Sequence, residues 1–332
     1  MPRKVRCMFH AVRVSMKLLT FILGALVLFA RVAAADEYPS RPIRIIVPYP
    51  AGGATDILAR QISAQLGPML NQTVVVENRS GASGVIGFDY VARAAPDGYT
   101  LLMGTANMVI NAAFGKAPYD PVKDFAPIST LVSSQNLLVV RPGLKINSLA
   151  ELVAYAKANP GKLTYGSSGI GTPLMSMELL KSLAGIEMRN IPYRGDAPAL
   201  TDVMGGQIDM YASTIAGEIA YTKSHQLIPL GVTSNKRAGS LPDVPTFAEA
   251  GVPGYELNSW YGILAPRQTP PEIVQKLNKA LVKIVAIPEV QRQMLDGGSD
   301  PSSSSPEEFA AMIKSDLEKY SRLVNDLHLT AE

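Results

Sequence analysis

The sequence predicts an α/β protein built from two units of the same kind, and three observations carry that prediction. Short apolar runs alternate with helically spaced segments from residue 43 to 103. The alternation begins again near Leu137 and continues to about residue 260. In both stretches the junctions from strand to helix are rich in Gly, Ser and Thr. A chain of 332 residues is long enough for two domains, each with its own core.

Taken in order, residues 1–17 are basic and Leu18–Ala30 is a mostly apolar run, followed by small residues at Ala33-Ala34-Ala35. That order is the one a secretory signal requires, and the run is shorter than the roughly 18 residues of a membrane span. Cleavage is expected after Ala35, giving an exported product. Six of the 31 Lys and Arg and none of the 28 Asp and Glu lie in that leader, so the remainder carries 25 basic against 28 acidic side chains. The basic balance belongs to the leader, and nucleic acid is not an expected partner. The single cysteine, Cys7, also lies there, which removes disulfide, zinc-ribbon and thiol chemistry from the mature chain.

Ile43–Val47 reads as a buried strand stopped by Pro48 and Pro50, and Ala51–Asp56 as a tight turn before helical spacing through Leu66. A second strand is expected at Thr73–Glu77, then a glycine-rich stretch, Asn78–Gly87, and a helix to about Ala94. A third strand follows at Thr100–Met103. This order predicts a parallel sheet covered on both faces. The second unit opens with a strand at Leu137–Val140 and a capping box at Ser148–Glu151. It continues with a strand at Leu163–Gly166, a glycine loop at Gly166–Gly171, and Thr172-Pro173 as cap and first helical residue. Asp196–Met204 reads as a helix, and Ile208–Tyr211 and Ile228–Val232 as strands. Two terminal helices are expected from capping boxes at Thr269–Glu272 and Ser305–Glu308. Domain boundaries are placed at 36–135 and 261–332 for the first domain and 136–260 for the second.

Enzyme motifs are absent or imperfect. There is no Gly-Lys-Ser/Thr, and Gly81, Gly84 and Gly87 lack dinucleotide spacing. Gly166–Gly171 approaches a nucleophile elbow, but Ile170 stands where that motif needs glycine. A serine hydrolase using Ser168 would need His225, which lies in a polar turn. No catalytic residue, metal ligand or cofactor is therefore expected. What the chain does have is two strand-to-helix junctions, Ala51-Gly52-Gly53 and Ser167–Thr172. Their leading backbone N–H groups are unpaired and carry the positive end of a helix dipole, so they can hold an anion without Arg or Lys. Two such junctions on opposed units can grip both ends of a small acid in a cleft.

Tyr38–Asp56, Val76–Gly87 and Pro96–Leu102 resemble, in order, three signatures of the solute-binding proteins of tripartite tricarboxylate transporters, the Bug type named for Bordetella uptake genes. Ile191–Gly195, Gly206–Asp209, Leu241–Thr246 and Trp260–Gly262 fit the same family. The resemblance covers essentially the whole mature chain. It implies a two-domain periplasmic binding protein fold of type II-like architecture, with a ligand cleft between two α/β domains joined by two crossing strands. It also implies capture of a small organic carboxylate in the periplasm, handed to the membrane permease subunits of such a transporter. A ligand-loaded sensor signalling to a membrane receptor is the alternative, and an exported serine hydrolase a remote one. A monomer is expected. Carried over residue by residue, the ligand contacts are Tyr49, Ala51, Gly52, Gly53, Thr105 and Asn107 in the first domain. In the second they are Ser167, Ser168, Gly171, Thr172, Tyr193 and Asp209. Where members of the family often place a His, four residues before Glu178, this sequence has Leu174.

Overall fold

The structure is a computed structural model that describes residues 38–257 and 259–330. The expected leader, Met1–Ala35, lies outside those residues. No helix among the described residues is long and apolar enough to cross a membrane.

Two sheets organise residues 41–330. The first contains β1 (Ile43–Val47), β2 (Val74–Asn78), β3 (Thr100–Thr105), β4 (Phe125–Ser134), β10 (Ser259–Pro266) and β11 (Asp300–Pro301), in the order β11-β4-β10-β3-β1-β2. The second contains β5 (Asn136–Val140), β6 (Thr164–Ser167), β7 (Arg189–Pro192), β8 (Met210–Thr214) and β9 (Ile228–Val232), in the order β7-β6-β8-β5-β9. Only part of each sheet is parallel. β1 pairs in parallel with β2 and β3, and β6 with β7 and β8. β10 runs antiparallel to β3 and β4, and β5 antiparallel to β8 and β9. The purely parallel expectation is corrected here. β4 runs almost directly into β5 across the single residue Gln135, and β10 returns alongside β4 in the opposite direction.

The strand interiors are apolar because helices cover both faces. In β5, Leu137 and Val139 pack toward a cluster containing Ala199, Val203 and Ile215, while Leu138 and Val140 join the larger core with Leu152 and Leu180. Side chains alternate across a strand, so both faces of this five-residue run are buried. In the first unit, α1 (Ala54–Leu70) buries Leu58, Ala59, Ile62 and Leu66, a helical stripe, and stops at Asn71 in the left-handed conformation. α2 (Val85–Ala92) and α3 (Asn107–Ala113) flank β3. The second unit carries α4 (Leu149–Ala158), α5 (Thr172–Ala184), α6 (Asp196–Met204) and α7 (Ile215–Lys223).

After β10 the chain forms α8 (Pro271–Val285), α9 (Pro288–Asp296) and α10 (Pro306–Asp326). α8 and α10 both pack on β4. Ser305 and Glu308 form the expected reciprocal capping box on α10. The box expected at Thr269 does not form. Pro270 is the cap residue of α8, so the Thr269 hydroxyl lies one residue too early and donates to the Pro266 carbonyl instead. At α4 the Ser148 hydroxyl accepts from the Glu151 N–H, while Glu151 reaches past Ser148 to the N–H of Asn147. Met103, Met108, Met175 and Met177 are fully buried core residues.

A buried polar contact ties α10 to the returning strand. Asp316, on the inner face of α10, accepts a 2.9 Å bond from Trp260 Nε1, and the Trp260 ring packs edge-on against Phe309. Gly262 lets α10 approach, since a Cβ there would lie 2.6 Å from Phe309 Cζ and 2.8 Å from the Ser129 carbonyl oxygen.

Candidate functional site

β1 ends at Pro48, which cannot donate to the ladder, and the loop 48–53 leads into α1. Asp56, buried in the first turn of α1, holds that loop. Its carboxylate accepts from the Gly52 N–H at 3.0 Å, from Arg60 Nε at 2.9 Å and from Asn78 Nδ2 at 2.9 Å. The Arg60 bond, with those from Gly52 and Asn78, lowers the carboxyl to a pKa of about 2. Asn78 Nδ2 also donates to the Tyr49 carbonyl. The Tyr49 hydroxyl lies 2.9 Å from Thr105 Oγ1, at the end of β3, and accepts from Asn107 Nδ2 at 3.1 Å. Burial raises the Tyr49 pKa above its ordinary value, so the phenol stays protonated.

Asn107, at the start of α3, also reaches the opposite unit. Its Oδ1 accepts from the Thr172 backbone N–H at 3.3 Å. α5 begins one residue earlier than the sequence suggests, with Gly171 as the cap residue. A Cβ on Gly171 would lie 3.1–3.4 Å from the Asn107 amide group, so glycine permits the close approach of the two units here. Asn111 Nδ2 donates to the carbonyls of Asn107 and Ser83, fixing the glycine-rich segment beside the same contact.

On the second unit, Tyr193 N–H donates to the Ser167 carbonyl at 2.7 Å, and its hydroxyl donates to Asp202 at 2.7 Å. Burial and the Asp202 carboxylate push the Tyr193 phenol up to about 12. Asp196, the first residue of α6, accepts from the buried Tyr211 hydroxyl at 2.6 Å.

These segments enclose a cavity of about 840 Å³, within the range of small-molecule sites. Six helices start on its wall: α1 after Gly53, α2 after Gly84, α3 at Asn107, α5 after Gly171, α6 after Gly195 and α7 after Thr214. None of the six has a side-chain bond from its own cap residue. Their leading N–H groups are thus left without the partner that Ser or Asp would supply at the cap position.

Of the residues expected at the ligand, the structure brings Tyr49, Ala51, Gly53, Thr105, Asn107, Ser168, Thr172 and Tyr193 to this cavity. Four others stand behind it. Gly52 gives its N–H to Asp56, buried Ser167 supports Tyr193 through its carbonyl, and Gly171 packs on Asn107. Asp209 is not on the cavity wall. It pairs with Arg141 at 2.9 Å and accepts from the N–H and hydroxyl of Thr164, a structural knot joining β5, β6 and β8. Asp209 thus closes its own unit instead of facing the cavity. Sequence reasoning missed Thr55, Ser83, Asp196, Thr214, Ser259 and Tyr261, all on the wall. Ser83 lies within the glycine-rich signature, Asp196 directly follows Gly195 of the Tyr193-Arg194-Gly195 run, and Tyr261 lies in the Trp260–Gly262 signature. Leu174 does not reach the wall. His225 is exposed in the turn after α7 and does not line the cavity that Ser168 lines. The described residues contain no cluster of three or more His, Cys, Asp or Glu able to hold a metal ion.

Two α/β units facing each other across a cavity lined by helix starts define the class of two-domain periplasmic binding proteins. The profile of the tripartite tricarboxylate transporter family receptor matches residues 58–329. The chain belongs to that family. A protein encoded in the tcbD–tcbE intergenic region of a Pseudomonas sp. is 37% identical over 91% of this chain and 90% of its own length. The protein BugT of Bordetella pertussis is 33% identical over 94% and 98%. Among solved structures, an R. palustris protein with adipate superposes with a TM-score of 0.81 at 34% identity, covering 89% of this chain and 99% of that one. The periplasmic binding protein BugD gives 0.78 at 34% identity, over 89% and 100%. MatC from Rhodopseudomonas palustris with bound malate gives 0.76 at 30%, over 86% and 100%.

Proposed function

We propose that the protein captures a small organic carboxylate in the cavity between its two units and delivers it to the membrane permease of a tripartite tricarboxylate-type transporter. The convergence of helix starts without cap side-chain bonds on one cavity carries this reading. Backbone N–H groups there receive carboxylate oxygens, helped by the helix dipoles. Tyr49, Thr105, Asn107, Ser168, Thr172 and Tyr193 add hydroxyl, amide and phenol contacts around them. The relatives solved with adipate and malate support a carboxylate as the ligand class.

In this reading residues 136–260 close against 36–135 and 261–332, pivoting where β4 passes into β5 and where β10 begins. Closure follows from contacts that are better in the closed state, such as Asn107 to Thr172. Met1–Ala35 directs export and is removed, so the protein works in the periplasm, as a monomer.

The test is thermal unfolding of purified protein, refolded to strip bound ligand, against mono-, di-, tri- and aromatic carboxylates. At about a thousand times Kd a true ligand adds roughly 4 kcal/mol of stability. One or a few hits among many flat responses are expected, and a flat panel from folded protein overturns the carboxylate assignment. Deleting the cognate permease genes distinguishes transport from sensing, since uptake then stops while a transcriptional response to the ligand persists only for a sensor.

A further inference from the structure

The cavity wall carries two charged side chains, Arg194 and Asp196, among the described residues. Neither forms an ion pair with another described residue, and Asp196 accepts its one hydrogen bond through Oδ1, from Tyr211. Its other oxygen, Oδ2, has no partner among the described residues. A cavity designed only for dianions would be disfavoured by a fixed negative charge on its wall. The placement has a further consequence. Asp196 is the first residue of α6, so its carboxylate offsets the positive end of that helix and removes its attraction for an anion. The starts of α1 and α5 lie on opposite units and have no bond from their own cap residues, although Asn107 takes the first N–H of α5. The wall thus presents several groups that attract anionic oxygen, the helix starts and Arg194 among them, and one, Asp196, that attracts a cation.

Tyr211 makes this arrangement specific. Its ring is fully buried in the second-unit core, so its hydroxyl comes from a fixed position and holds Asp196 by a 2.6 Å bond. A charge serving helix α6 alone needs no such support and could point to solvent.

On the reading that the cleft binds carboxylates, we infer that its ligand also bears a protonated amine, an amino acid or amino dicarboxylic acid, whose ammonium is received by Asp196. The α-carboxylate and any distal carboxylate occupy the α1 and α5 starts. Asp196 acts as the specificity-determining residue, accepting the amine and repelling the matching acid that lacks it.

Isothermal titration of purified, ligand-stripped protein tests this with matched pairs: aspartate and succinate, glutamate and glutarate, 2-aminoadipate and adipate. The amine-bearing member of at least one pair is expected to bind about tenfold tighter or better, the size of one charge-assisted hydrogen bond. Asp196→Asn keeps an acceptor for Tyr211, and its melting temperature without ligand reports its folding. In that variant the preference is expected to fall to about threefold or less, with the amine-free acid gaining affinity. The inference is overturned if the amine-free member binds as tightly in every pair, or if the preference persists in Asp196→Asn. Binding of amine-free acids alone leaves the carboxylate function standing; six flat titrations overturn this inference, and the carboxylate function falls only if the wider panel is flat as well.

Discussion

Asn107 Oδ1, carried on the first unit, accepts a 3.3 Å hydrogen bond from the backbone N–H of Thr172, the first residue of α5 in the second unit. The same side chain gives its Nδ2 to the Tyr49 hydroxyl, so one amide reads the loop after β1 and the helix start opposite it. Asn107→Ala removes both bonds. It is expected to weaken the closed arrangement by about 1 kcal/mol, seen by isothermal titration as roughly fivefold poorer ligand affinity. The melting temperature of the ligand-free protein should change little. A large drop without any loss of affinity would place Asn107 in the fold rather than in closure.

Asp56 secures the loop that follows β1. Replacing it with Ala strands the Gly52 N–H and Asn78 Nδ2, which both donate to it, and is expected to cost about 2 kcal/mol in chemical denaturation. The acid limb gives a second reading. The folded pKa of about 2 lies below the ordinary 3.8, so the contribution is complete above about pH 4 and disappears as the pH falls through about 2. Loss of stability between those values should be shallower in Asp56→Ala than in the parent protein.

Glu218 shows the opposite sign. It is fully buried in α7, where Oε1 accepts from the Ser213 N–H and hydroxyl while Oε2 has no partner. Burial raises its carboxyl well above the ordinary 4.5. The folded state therefore binds the proton more tightly than the unfolded chain, and stability falls as pH rises from 4.5 toward the folded pKa. Glu218→Gln keeps the acceptor for Ser213 without an ionisable group. Denaturation midpoints at pH 5 and pH 8 should converge in the variant; an undiminished difference would assign the dependence to another group.

Gly262 allows Phe309 to lie against β10. Gly262→Ala puts a methyl where Phe309 and the Ser129 carbonyl already stand, and overpacking of this kind costs about 1–3 kcal/mol. Calorimetry should show a lower melting temperature. A variant as stable as the parent would mean that α10 shifts without cost.

Several elements were legible because their signals are local. β1, β9 and α6 occupy the residues that apolar runs and flanking turn residues indicate, and Ser305 and Glu308 cap α10 from three positions apart. Others were illegible for the opposite reason. β4 reads Phe-Ala-Pro-Ile-Ser-Thr-Leu-Val-Ser-Ser, with no alternation, and is a strand because β10 pairs with it from more than a hundred residues away. On the inner face of α10, sequence spacing selects Met312, but the structure exposes that side chain and buries Asp316, whose partner Trp260 lies 56 positions earlier.

The sequence by itself determined the family and the glycine-rich junctions from strand to helix, since signatures and turn residues are written in neighbouring positions. Only the tertiary structure decided which of those junctions share a cavity, that Asp209 serves its own unit, and that Asp196 stands on the wall. The reason is physical: spacing along the chain governs hydrogen bonds within an element. Pairings such as Ser259 with Ser134 govern which elements face one another.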